Sequence, residues 1–155
     1  MSGARPEGSG ARAVLGGVPP GTLGIIAVGG ALGSVTRYGA ALAWPSVWGV
    51  LVVNVVGCAL IGVLMVLVAE RGAGPAWVRP LLGVGVLGGF TTFSTYALDA
   101  VRLLERGEAV RAVLYVTGTL GAAMAAVWAA ATVTRRAVGR WPGARRTGGR
   151  RTAGA

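Results

Sequence analysis

Charge is the scarcest commodity in this chain, and its absence limits the possible folds more than any motif does. Between Ala13 and Ala69 there is one charged residue, Arg37, and the stretches Pro80–Leu98 and Ala112–Thr134 carry none. Uncharged apolar runs near 20 residues match the roughly 30 Å hydrocarbon core of a bilayer. Overall 54% of residues are hydrophobic and 13% charged, whereas soluble domains carry about a quarter charged residues. An ordinary soluble enzyme and a disordered basic protein are both excluded. The chain has no histidine, a single cysteine (Cys58) and five carboxylates. Histidine-based acid–base chemistry, a disulfide framework and cysteine zinc sites go with them.

Four spans are expected, at about 22–43, 46–69, 77–104 and 109–134. The first follows Pro19-Pro20-Gly21 and the second follows Pro45. Met1–Arg12 is Gly-rich and holds Pro6 and Glu7, so it does not read as a cleaved signal peptide. The expected organisation is a flexible segment 1–20, a four-helix transmembrane domain 21–134 and an Arg-rich flexible cytoplasmic tail 135–155. The connections Trp44-Pro45, Glu70–Pro75 and Glu105–Glu108 are short, which favours antiparallel neighbours. Both termini and the second loop share one side of the membrane. That side holds Arg5, Arg12, Arg71, Arg79 and seven tail arginines, against four on the other side, Arg37, Arg102, Arg106 and Arg111. Positive-inside bias puts both termini in the cytoplasm of a multi-pass cell-membrane protein. The tail reads as a solvated segment drawn to anionic lipid headgroups rather than a nucleic-acid arm. Pairs of small residues, Gly29 with Gly33, Gly57-Cys58 with Gly62, and Gly118 with Gly121, mark close helix packing.

Polar residues inside the spans each need a reason. Asn54 stands in the aliphatic run Val50–Val56, about 8 residues or ~12 Å from one end of its span at 1.5 Å per residue. It is either an interhelical hydrogen-bonding residue or part of an ion path. The third span carries Gly88-Gly89-Phe90-Thr91-Thr92-Phe93-Ser94-Thr95-Tyr96, with six Gly, Ser or Thr among nine. These are poor helix formers, and a break here frees carbonyls that line a cavity or hold a hard cation. The other reading is a kinked, dry helix whose hydroxyls bond back to carbonyls. Phe93 and Tyr96, three apart, share a face if helix resumes. Their electropositive edges suit a dehydrated anion, or they are plain packing. Arg37 snorkels or collects anions at a vestibule. Tyr115 and Thr119, four apart on the fourth span, share a face, and Tyr115 also suits an interfacial anchor.

The combination resembles the CrcB/Fluc family of fluoride channels. The resemblance rests on Gly29-Gly30-Ala31-Leu32-Gly33-Ser34-Val35-Thr36-Arg37-Tyr38, on Gly49 through Asn54 to Gly57, on Gly88–Tyr96, and on Tyr115 with Thr119. These come in the family's order and spacing, and the third-span motif is the most specific. The resemblance implies an all-α membrane protein of four transmembrane helices, the third broken mid-membrane, assembled as an antiparallel dimer with two pores. It implies passive export of toxic fluoride and a structural Na⁺ held by the backbone carbonyls of Gly88 and Thr91. It places Asn54, Phe93 and Tyr96 in the pore, Thr95 and Thr119 on a hydroxyl track with Tyr115 nearby, and Arg37 in the vestibule. Three residues depart from the family's usual pattern: Tyr96 for Phe, Val50 for Thr and Cys58 for Ser.

The arginine bias adds an expectation of its own. A chain that pairs antiparallel with itself needs balanced loop charge, and this one is biased. It is therefore expected to insert one way and pair with a homologous partner of opposite bias. The alternatives are a partly silent subunit of a heterodimeric fluoride channel, and a small proton-coupled multidrug transporter. The latter lacks a mid-membrane carboxylate, since Glu70, Asp99 and Glu105 fall at or near span ends.

Overall fold

The computed structural model describes residues 18–139. The expected N-terminal segment and most of the expected tail lie outside these residues. Every regular element among the described residues is helical. Helix α1 spans Pro20–Ala43, α2 spans Val47–Glu70, and the third span, Arg79–Glu105, is followed by Ala109–Gly139. All four are long and apolar enough to cross a membrane. The last helix runs as far as Gly139, so Arg135–Gly139 continues the span rather than opening the tail.

Local chemistry sets the ends. Pro20 occupies the first turn of α1, where its missing N–H costs nothing and its fixed φ favours the helix. Pro45 restricts the residue before it, Trp44, to extended geometry, and α1 stops there with φ −140° and ψ 77° at Trp44. Ser46 then caps α2, its Oγ accepting the Gly49 N–H at 3.2 Å. Helix α2 is α-helical through Leu64 and winds as π-helix over Met65–Glu70. The third span opens as π-helix over Arg79–Leu87 and continues α-helical over Gly88–Phe90; together these are α3. Helix α4 spans Ser94–Glu105 and α5 spans Ala109–Gly139. The α4–α5 turn uses Gly107 at φ +74°. Its N–H donates to Leu104 O at 2.9 Å, and the Glu108 N–H donates to Leu103 O at 2.9 Å. This is a Schellman closure that needs the left-handed residue.

Short loops do not choose the packing partners. Helix α1 packs chiefly on α3, and α2 packs chiefly on α5. Glycine makes both approaches possible. A Cβ at Gly29 would lie 2.5 Å from the Leu81 carbonyl oxygen, and one at Gly33 would overlap the Val86 carbonyl. A Cβ at Gly62 would lie 2.6 Å from the Val127 carbonyl on α5. Gly118 and Gly121 differ: apart from their own helix backbone, nothing among the described residues lies within 4 Å of where their Cβ atoms would be. Many large apolar side chains point outward, among them Val28, Val35, Leu42, Leu114, Met124 and Trp128. On a bundle of spans, such a surface faces lipid or another membrane chain. At one end, Arg135 clamps Glu70 with Nη2 to Oε1 at 2.6 Å and Nε to Oε2 at 2.9 Å, joining the ends of α5 and α2.

Candidate functional site

The polar residues of the spans meet where α3 gives way to α4. Helix α3 ends at Phe90, Thr91 is extended at φ −74° and ψ 152°, and α4 begins at Ser94. The Thr92 N–H would close on the Gly88 carbonyl in a continuous α-helix. It donates instead to Asn54 Oδ1 at 2.8 Å, and Asn54 Nδ2 donates to the Thr92 carbonyl at 3.0 Å. Both sides of one peptide residue are thus held by one side-chain amide. Arg37 Nε donates to the Gly89 carbonyl at 3.2 Å. The Thr92 hydroxyl accepts the Thr95 N–H at 3.2 Å and donates to the Thr95 hydroxyl at 3.1 Å, capping the first turn of α4 from outside it. Thr91 Oγ1 bonds back to the Leu87 carbonyl at 3.0 Å. Gly57 of α2 makes room for the junction, since a Cβ there would lie 2.5 Å from Thr91 Cγ2.

Beyond the junction runs a row of aromatic rings. Phe93 and Tyr96 have centroids 5.7 Å apart at 47°, and Tyr96 and Tyr115 have centroids 5.6 Å apart at 42°. Such tilted pairs bring ring edges toward ring faces. Phe93 is 79% exposed in the single chain. Tyr96 donates its hydroxyl to the Val116 carbonyl at 3.1 Å, which ties α4 to α5. The hydroxyls of Tyr115 and Thr119 are buried without a hydrogen-bond partner among the described residues. Thr119 is unusual in this. Thr36, Thr91, Thr117, Thr132 and Thr134 all return their hydroxyls to the carbonyl four residues earlier.

The sequence-expected residues therefore fall into distinct arrangements. Asn54 and Arg37 both hold the backbone of the α3–α4 junction. Phe93, Tyr96 and Tyr115 form the ring row, and Thr119 lies one turn along α5 from Tyr115. Thr95 sits at the head of α4. Gly88 and Thr91 lie on either side of the end of α3. Among the described residues no cluster of His, Cys, Asp or Glu could hold a metal ion.

A cavity of about 950 Å³ opens beside the junction at the end where α1 meets α2 and α4 meets α5. Thr92, Thr95 and Tyr115 line it, as does Val50. So do Arg37, Arg102, Arg106 and Arg111, with Asp99 and Glu108. In sequence, Arg37 alone of these has an expected site role; Arg102, Arg106 and Arg111 mark topology, and Asp99 only a span end. Asp99 is in fact buried, with its Oδ1 3.5 Å from Arg102 Nη1. Arg111 pairs closely with Glu108. The i,i+3 spacing of Asp99 with Arg102 and of Glu108 with Arg111 was the available signal.

Fold and site together define a multi-pass membrane protein with a hydroxyl- and ring-lined polar region inside its bundle. Residues 24–131 match the family model described as CrcB-like protein, Camphor Resistance (CrcB). The chain belongs to the CrcB family. It is 46% identical over 117 residues to fluoride-specific ion channel FluC 1 of Streptomyces coelicolor, covering 72% of this chain and 76% of that one. It is 48% identical over 120 residues to fluoride-specific ion channel FluC of Rhizobium etli, covering 74% and 96%. A FluC of Rhizobium leguminosarum is 49% identical over 117 residues, covering 72% and 94%.

Proposed function

We propose that this chain is a channel subunit, not an enzyme, that lets fluoride leave the cytoplasm passively and so limits fluoride toxicity. Its relatives are named as fluoride-specific ion channels. The observation that carries the reading is the pair of buried, unpartnered hydroxyls of Tyr115 and Thr119. An unmatched buried hydroxyl costs about 1–3 kcal/mol. Two such groups beside a row of tilted rings are explained by a guest that accepts hydrogen bonds. Fluoride, small and strongly hydrated, needs donors that replace its water closely. Ring edges of Phe93 and Tyr96 add positive potential without a fixed charge, which would hold the ion too tightly to release it. Every helical threonine named above that bonds back to its own helix has no proton left to offer; Thr119 does.

In this reading Asn54 has two tasks. Its oxygen and one amide N–H fix Thr92, and its second N–H remains as a donor beside the path. Arg37 fixes Gly89 through Nε, leaving its terminal nitrogens for anions arriving at the vestibule. Thr95 extends the hydroxyl track toward the cavity. The active unit is an antiparallel dimer in the cell membrane, formed with itself or with a homologous subunit, both termini cytoplasmic. Asn54 draws the Thr92 N–H away from Gly88, which fits the carbonyls of Gly88 and Thr91 as ligands for Na⁺. Held there, such an ion would supply a fixed positive charge beside the junction.

The test is fluoride efflux from liposomes carrying the purified chain, followed with a fluoride electrode and no proton gradient. Efflux well above empty liposomes, with chloride retained, is expected. Absence of efflux from the chain alone but its appearance with a homologous partner would assign the heterodimer. Efflux of drugs driven by a proton gradient, without fluoride flux, would overturn the channel reading.

A further inference from the structure

We infer that the arginine-lined cavity binds a tetrahedral dianion, the chemistry shared by sulfate and hydrogen phosphate, and that such an anion occludes the mouth of the fluoride path. The link to fluoride rests on the function proposed above; the binding itself does not.

The cavity is built for something larger than a halide. Its volume is about 950 Å³, and its charge comes from four guanidiniums delivered by three helices and a loop. Only Asp99 and Glu108 oppose them, so the wall keeps an excess of positive charge. Each carboxylate occupies one terminal nitrogen of one arginine, Arg102 Nη1 in the first case and Arg111 Nη1 in the second. Arg37 is engaged only through Nε. Arg106 has no carboxylate within salt-bridge distance among the described residues. Guanidiniums with unengaged N–H groups, carried on several elements, thus line one space. A guanidinium presents parallel donors that match two oxygens of an oxyanion, which a monatomic ion cannot satisfy. Tyr115, 4% exposed, lines the same cavity. Its hydroxyl is shut off from the open space, so Tyr115 forms wall there and the guanidiniums supply the donors.

A dianion bridging several guanidiniums stays longer than a hydrated monovalent ion, because each added charge pair slows departure. Millimolar sulfate or phosphate on this face is therefore expected to slow fluoride flux, and chloride at equal ionic strength is not.

Trp44 and Trp48 line the cavity and report on it directly. Purified chain in detergent is titrated with sodium sulfate, then sodium phosphate, with sodium chloride at matched ionic strength as the reference, while tryptophan emission is recorded. A saturable change with sulfate and phosphate, absent with chloride, is expected. Arg106→Gln should weaken it at least fivefold, and Arg106→Lys should weaken it less. Arg136→Gln, the same charge change at the opposite end of the bundle, should leave it unchanged. If Arg106→Gln elutes as aggregate, Arg111→Gln carries the same expectation. An equal response to chloride, or equal weakening by Arg136→Gln, reduces the effect to screening and overturns the site. Sulfate binding without slower fluoride efflux overturns the occlusion alone. An absence of fluoride efflux in any buffer counts against the channel reading and leaves the binding result standing.

Discussion

The third and fourth spans carry similar polar loads and store them differently. In the third, the backbone itself is opened at Thr91–Phe93, and the loose groups of Thr92 and Gly89 are taken up by side chains from other helices, Asn54 and Arg37. In the fourth, 31 residues of helix run without interruption, and the unmatched polarity sits on side chains, at Tyr115 and Thr119. An opened backbone demands partners wherever it lies, so its geometry is fixed by the surrounding fold. A spare hydroxyl on an intact helix demands nothing structural and can turn to meet a guest. One span supplies rigidity and the other supplies donors.

The sharpest way to break that contrast is Asn54→Leu. It orphans the N–H and the carbonyl of Thr92 together, and loss of two buried hydrogen bonds costs about 2–4 kcal/mol. A clear drop in thermal unfolding temperature in detergent and complete loss of fluoride efflux are expected. Asn54→Asp keeps the acceptor for the Thr92 N–H but sets a negative charge against the Thr92 carbonyl and in the anion path. It should abolish flux with a smaller loss of stability. Efflux at the wild-type rate in either variant would remove Asn54 from the path.

Gly33→Ala ranks next. Its new Cβ would meet the Val86 carbonyl, and overpacking of this kind costs about 1–3 kcal/mol. Gly121→Ala is its counterpart on the fourth span, where nothing lies within 4 Å, and helix propensity alone favours Ala by up to about 1 kcal/mol. Thermal melts of the two should move in opposite directions. A destabilised Gly121→Ala would show that a second chain packs on that face.

Thr119→Val separates the two kinds of polarity most cleanly. It keeps the shape and deletes a hydroxyl that bonds nothing among the described residues. Stability should hold or rise by about 1 kcal/mol, since an unmatched group is removed. Fluoride efflux should fall about tenfold, the weight of one charge-assisted hydrogen bond. Thr117→Val, whose hydroxyl bonds back to the Val113 carbonyl at 2.8 Å, should leave efflux near wild type. The smallest effect belongs to Glu70→Gln. The Glu70–Arg135 pair is solvent-exposed, so its loss should lower the melting temperature slightly at low salt and not at high salt.

The four spans were legible because charge depletion is a one-dimensional signal; Arg37 alone interrupts the first two. The starts of the first two were legible to a few residues from Pro20 and Pro45, whereas the Ser46 cap and the Gly107 turn emerged only in the structure. The fourth ran five residues further than expected, since Arg135 is polar yet holds Glu70 across the bundle. Partner choice was not legible. Gly29 and Gly33 announce close packing, but nothing in their spacing says that α3 rather than α2 lies opposite. The ring row follows from Phe93 and Tyr96 being three apart, whereas its third member, Tyr115, joins through tertiary contact alone. The cavity was hidden for a related reason. Arg37, Arg102, Arg106 and Arg111 are scattered over 75 residues of sequence, and counting them by side of the membrane erased the fact that they converge.

Helix α5 is longer than the layer it crosses. At about 1.5 Å per residue its 31 residues reach ~46 Å, against ~30 Å of hydrocarbon. Upright, roughly 16 Å of rod would stand clear of the oily layer, and tilt shortens that excess. The membrane must therefore meet this helix either tilted or with part of its length outside the oily layer.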